Sequence, residues 1–237
     1  MQRLLGMFVV AVGLSAGGCA HQVFSPPAGL PNLESPALVG AGKNAVAADF
    51  TAAHIGLDAG DVFGGALKVR HGFSDALELQ GALAGFAIDE DAKADTFPWT
   101  FSGRVGLKGS FVADFPHLAW KAGLGFGGSA GGLFSAADLG LVGGFENAYA
   151  TPWVAVSGFA SVPLTSETVD ITPADEDTPR LDHPVTTLGV QVAVGVSVAV
   201  GASPVKLHLS LHETWLWDIH GVDETVAGFA LGVETPF

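Results

Sequence analysis

His208 and His212 share one face of an alternating run with Lys206 and Ser210, a grouping that invites a metal-binding or proton-transfer reading. On an extended strand four residues span about 13 Å. One ion therefore cannot bridge both imidazoles without ligands from neighbouring strands. The plainer reading is a pair of imidazoles hydrogen-bonded inside a polar interior. Acidic residues gather in three further places: Glu90, Asp91 and Asp95; Asp175, Glu176 and Asp177; and Asp218 and Asp223 around His220. In loops such groups are ordinarily solvated, though they can take up divalent cations. Nucleophilic chemistry finds no support. Gly-x-Ser-x-Gly is absent, and the single cysteine, Cys19, closes an apolar N-terminal run. Gly125-Phe126-Gly127-Gly128 lacks the lysine and following helix of a phosphate loop. No catalytic residue, metal ligand or cofactor is assigned, and no enzymatic role is expected.

The remaining charges are sparse and fall in step with a two-residue period. Charged residues make up 14% of the chain, against roughly 25% in soluble domains. Lys68 and Arg70, Glu78, Arg104 and Lys108, Lys121, Asp138 and Glu146, Lys206 and Glu234 each alternate with large apolar neighbours, and Asp49 joins them. Side chains alternate across a strand, so these charges belong to one face and the apolar residues to the other. Turn symmetry pairs Lys68 with Glu78 and Lys206 with Glu234, and brings Lys121 near Glu146.

The elements that must carry these faces are long strands. From Leu188 to Val200 every even position is Leu or Val and every odd one is small or polar. A thirteen-residue alternation exceeds the usual five or six of a soluble strand and fits a tilted strand crossing a bilayer. Ten strands follow from such runs: 45–55, 62–71, 76–88, 98–112, 118–128, 136–147, 152–165, 186–201, 204–217 and 224–237. Gly72-Phe73-Ser74-Asp75, Asp114-Phe115-Pro116-His117, Tyr149-Ala150-Thr151 and Ala202-Ser203 are short turns. The connections 89–97, 129–135, 166–185 and 218–223 are read as longer, and 56–61 as modest in length. Phe111 and Trp120 fall near the turns, and Phe101, Trp215 and Trp217 near the long connections, as interfacial girdles do. The uncharged face from Gly189 to Ala199 is where an opening in the interior is expected. Hydrophobic residues make up 49% of the chain and mean hydropathy is +0.42. Outside the N-terminus no apolar run is long enough for a membrane helix, so an all-β, antiparallel, up-and-down transmembrane barrel is the expected fold.

Both ends carry family resemblances. Arg3, the apolar Leu4 to Leu14, and Ser15-Ala16-Gly17-Gly18-Cys19 resemble a bacterial lipoprotein signal, with Ala16 where Leu is usual. The resemblance implies lipidation at Cys19 after removal of the preceding residues. Ordinary cleavage near Ala20 would instead discard that cysteine. Residues 20–44, with Pro26, Pro27, Pro31 and Pro36, read as a periplasmic tether. The barrel domain is then 45–237. The terminal G-V-E-T-P-F, ending at Phe237 with Phe229, Leu231 and Val233 on the same face, resembles the assembly signal of bacterial outer-membrane barrels. The run V-R-H-G-F-S-D-A-L-E-L-Q-G-A-L resembles a hairpin common in them.

These resemblances imply an outer-membrane location with both termini periplasmic. They imply contact with membrane lipid and lipopolysaccharide, and with the barrel-assembly machinery. The net charge of −14 excludes a nucleic-acid surface. Omptin proteases are also ten-stranded barrels, but no motif around Asp218, His220 and Asp223 matches theirs. The expected function is a structural or interaction scaffold with a largely closed, charge-paired lumen and loops 89–97 and 166–185 as contact sites. A narrow pore for small solutes and a soluble tethered barrel holding an apolar ligand are the alternatives.

Overall fold

Ten long strands, each alternating large apolar with small or polar residues, close into one barrel in the computed structural model of the chain. The structure describes residues 24–27, 34–55, 61–89, 99–111, 117–147, 149–170, 181–218 and 223–237. The strands are β1 (Asn44–Ile55), β2 (Asp61–Ser74), β3 (Leu77–Asp89), β4 (Trp99–Ser110), β5 (Leu118–Ser129), β6 (Gly132–Gly144) and β7 (Ala150–Pro163), then β10 (Thr187–Ala199), β11 (Lys206–Asp218) and β12 (Asp223–Pro236). A small ribbon of β8 (Val169–Asp170) and β9 (Leu181–Asp182) sits apart in the connection between β7 and β10. Each long strand pairs antiparallel with its neighbours, and β1 pairs with β12 to close the ring. Closure satisfies every strand edge, which matters where no water can do so.

The two faces of the wall are chemically opposite. The outward face exposes Leu67 (59%), Leu83 (67%), Val105 (62%), Leu124 (70%) and Leu139 (65%). Trp99 and Phe101 stack on that face at the start of β4, 5.3 Å apart. The inward face buries Lys68, Arg70, Glu78, Gln80, Arg104, Lys108 and Lys121 together with many Ser and Thr. A soluble barrel with an apolar core would have these faces the other way round.

One mouth, the turn mouth, carries the connections 75–76, 111–117, 145–149 and 200–205 together with Phe237. The opposite, loop mouth carries 56–60, 90–98, 130–131, 164–186 and 219–222. The two longest connections thus share the loop mouth, but the expected long connection 129–135 does not exist. Residues 130–131 form a tight hairpin, made possible by Gly132 at φ +109°, where a side chain would be strained. β6 consequently starts and ends earlier than the 136–147 expected. Tyr149 lies in the following connection, while Ala150 and Thr151 belong to β7.

Candidate functional site: a charged lumen and the N-terminal segment seated against it

The lumen is filled from two sources, the wall and the segment that precedes β1. From the wall, Arg70 is the hub. Its Nε and Nη2 donate to the Glu78 carboxylate at 2.8 and 2.9 Å, and its Nη1 donates to Glu234 Oε2 at 2.7 Å. Arg70 on β2 and Glu234 on β12 meet across β1, whose inward residues there are Ala45 and Ala47. The alanine content that makes β1 a poorly alternating strand is what lets the two side chains join over it. Lys68 Nζ lies 2.8 Å from Asp49. Arg104 makes a two-pronged contact with Asp138, both bonds at 2.6 Å.

The second source was not legible as such. Residues 34–40 run inside the barrel toward the turn mouth, where 41–43 emerge exposed. Glu34 Oε2 accepts from Gln80 Nε2 at 2.9 Å and lies 3.6 Å from Lys108 Nζ. Glu34 Oε1 lies 4.0 Å from Lys68 Nζ. Lys108 Nζ donates to the Ser35 and Ala37 carbonyls at 2.7 and 3.1 Å, and Arg70 Nη2 donates to the Ala37 carbonyl at 2.8 Å. The Val39 N–H donates to Glu78 Oε2 at 2.9 Å, and the Ala41 N–H to Asp75 Oδ1 at 3.0 Å. Gly40 (φ +85°) and Gly42 (φ +68°) then reverse the chain into β1.

At the loop mouth, the Ser25 N–H donates to Thr187 Oγ1 at 2.8 Å and Ser161 Oγ donates to the Pro26 carbonyl at 2.7 Å. Phe24 bridges to Val185 beside them. Each described piece has a buried anchor: Ser25 is 1% exposed and Glu34 3%. The described pieces of this segment therefore meet the barrel at both ends, Ser25 at the loop mouth and Val39 toward the turn mouth. Residues 20–44 are expected as a periplasmic tether. Where described, 25 and 34–36 are instead buried against the barrel and 37–40 partly so, with Phe24 at the loop mouth and Phe237 at the turn mouth. A signal was present: between His21 and Gly42, Glu34 is the only charge in an otherwise uncharged stretch.

The sequence-assigned lumen charges fare unevenly. Lys68, Arg70, Glu78, Arg104, Lys108, Lys121, Asp138 and Glu234 all face inward. Lys206 is half-buried at the turn mouth, opposite Glu234 as expected, but Glu234 turns to Arg70. Glu146 is exposed in the connection after β6, so the expected proximity to Lys121 is lost. Lys68 does not face Glu78 either. The β2–β3 hairpin turns at 75–76, Lys68 pairs with Ala82, and Gly72 pairs with Glu78. Phe237 ends the chain at the turn mouth, its N–H donating to the Asn44 carbonyl at 3.1 Å.

Among the inward histidines, His208 Nδ1 lies 2.7 Å from Ser197 Oγ. Among the described residues no three His, Cys, Asp or Glu side chains converge as a metal site. Asp218, expected in an external loop, is instead the buried last residue of β11. Cys19, Glu90, Asp91, Asp95, Asp175, Glu176, Asp177 and His220 lie outside the described residues, as do the side chain of Asp223 and much of loops 89–97 and 166–185.

The uncharged face of β10, expected to border an opening, is occupied. Trp153 lies over Gly195 and Phe159 over Gly189 so closely that a Cβ at either glycine would fall 2.3 Å from the ring. Trp153 joins Val142, Ala155, Ala193 and Ala230 in a small apolar cluster on the lumen side.

No protein-family model matches the chain, and no curated protein sequence matches it. Solved outer-membrane barrels resemble it in form. The N-terminal β-barrel domain of Pseudomonas aeruginosa OprF is 13% identical, over 83% of this chain and 99% of that one, with a TM-score of 0.37. The β domain of the Bordetella autotransporter BrkA is 16% identical over 83% and 100%, with a TM-score of 0.49. The outer-membrane protease OmpT of Escherichia coli is 9% identical over 82% and 95%, with a TM-score of 0.42. These are likenesses of overall form.

Proposed function

We propose that this protein is an outer-membrane β-barrel that works as a closed scaffold, sealed by its own N-terminal segment, with recognition carried by the connections at the loop mouth. The observation that carries the reading is the seating of Glu34, Ser35 and Ala37 against Gln80, Lys108 and Arg70 inside the turn-side half of the lumen. The outward Leu and Val band supports a lipid-facing wall. The ion-paired interior gives no support to an apolar-ligand carrier. In this orientation the turn mouth and Phe237 face the periplasm, where the barrel-assembly machinery acts on a terminal Phe. The acidic loop residues Glu90, Asp91, Asp95, Asp175, Glu176 and Asp177 would meet divalent cations that bridge lipopolysaccharide.

Planar-bilayer recording tests the seal. The full-length protein, extracted in detergent and showing heat-modifiable gel mobility, is expected to give no stable unitary current steps. Steady steps from the unmodified protein would refute the closed scaffold in favour of a narrow pore. Extraction of the barrel by salt alone would refute the membrane-spanning reading.

A further inference from the structure

Lys108 and Lys121 stand directly opposite each other on β4 and β5, both inward and both wholly buried. Like charges facing across a strand pair repel, so this arrangement calls for an anion between them. Near this corner the inward carboxylates of the described wall are already engaged. Asp49 is held by Lys68, Asp138 by Arg104, and Glu78 and Glu234 by Arg70. Lys108 Nζ approaches Glu78 only to 3.9 Å, and both of its hydrogen bonds go to carbonyls of the N-terminal segment. Lys121 Nζ is buried with no hydrogen-bond partner among the described residues. The carboxylate that serves this corner is Glu34, 3.6 Å from Lys108 and oriented by Gln80. In the turn-side half the buried wall thus carries Lys68, Arg70, Lys108 and Lys121 against Asp49, Glu78 and Glu234, and Glu34 completes the balance.

We propose that Lys68, Lys108, Lys121 and Gln80 form an anion site of the lumen wall, occupied here by the chain's own Glu34, and that displacing the segment opens a pathway selecting small monovalent anions such as chloride or short carboxylates. This rests on the reading that the barrel spans an outer membrane and is sealed by the segment. A ring or cluster of lysines is how pores favour anions. Opposing it, Asp218 and Glu224 face the lumen at the loop mouth, and a wide vestibule there would favour cations.

Full-length Glu34→Lys in planar bilayers under a tenfold KCl gradient decides between them. Its ammonium is repelled by three lysines, so the segment should leave its seat. Unitary steps are expected where the unmodified protein is silent, with chloride permeating several-fold better than potassium. Adding Lys121→Glu should reverse the sign of the reversal potential. Steps that favour potassium, or neither ion, overturn the anion site while leaving the seal intact. A silent Glu34→Lys with native heat-modifiable mobility overturns both. If the unmodified protein itself conducts, the seal fails, and a chloride preference abolished by Lys121→Glu still upholds the anion site. Should Glu34→Lys not assemble, Glu34→Gln removes only the charge and is expected to open intermittently with the same chloride preference; openings that favour potassium overturn the site.

Discussion

Arg70 shows what a single residue has to do in this lumen. It binds two carboxylates from different strands and a carbonyl of the N-terminal segment with one planar, five-donor group. Removing one partner of a buried ion pair leaves the others uncompensated, at a cost of roughly 3–5 kcal/mol. Arg70→Ala is therefore expected to lose about that much stability, while Glu146→Ala, which removes an exposed carboxylate, should change little. Urea titration in lipid vesicles, read by gel mobility, measures both. Equal midpoints for the two variants would refute the assignment of Arg70 as hub. The inward placement of Arg70 was legible from alternation, but its partners were not. The β2–β3 hairpin turns at 75–76 rather than around Phe73. That is a shift of four in the partner of Lys68, and an even shift keeps every face while changing every partner. Faces follow from parity, whereas partners depend on turn geometry and side-chain reach.

Strand order and faces could be read from the sequence because an apolar outer face and an ion-paired interior impose opposite demands on alternate residues. β10 and β11 lie within two residues of where alternation put them. β6 was displaced because the glycines around 131–132 read as a loop, when one of them makes a tight hairpin instead. The lumen side of β10 misled for a related reason. Its small residues looked like empty space, yet they are the floor on which Trp153 and Phe159 of β7 rest. Small residues alone do not say whether a neighbour's ring fills the gap. At this scale the outward band makes its own prediction. Leu83, at the middle of β3 and 67% exposed, should tolerate Arg poorly, at about 2–4 kcal/mol for a charge at the bilayer midplane. Leu83→Ala should fold nearly normally. Folding yield into vesicles checks the pair, and equal yields would argue against a lipid-facing β3.

For the molecule as a whole, the direction of travel of the N-terminal segment sets the topology. Residues 24–27 sit at the loop mouth and 34–43 reach the turn mouth before β1 begins. Nothing periodic marks such a passage, so the Pro-containing stretch read as a tether. With the loop mouth outward, an epitope inserted ahead of Phe24 is expected to be labelled on intact cells together with one placed in 90–98. An epitope in the turn at Ala202-Ser203 should be reached only after permeabilisation. If the first tag behaves like the third, the chain is not threaded in the orientation proposed.

A ring of hydrogen-bonded strands can enclose a piece of its own chain in only two ways: the free end is pushed through a finished ring, or the ring is completed around it. Here Lys43 runs directly into Asn44, so the enclosed piece and one side of the β1–β12 seam are continuous chain. Feeding the free end later would drag it past a corridor of paired charges. Completion around the segment implies an order of assembly: the segment seated on the open, curling sheet first, the seam zipped last. The Phe237 amide on the Asn44 carbonyl is the final rung beside that seam, formed last in this order.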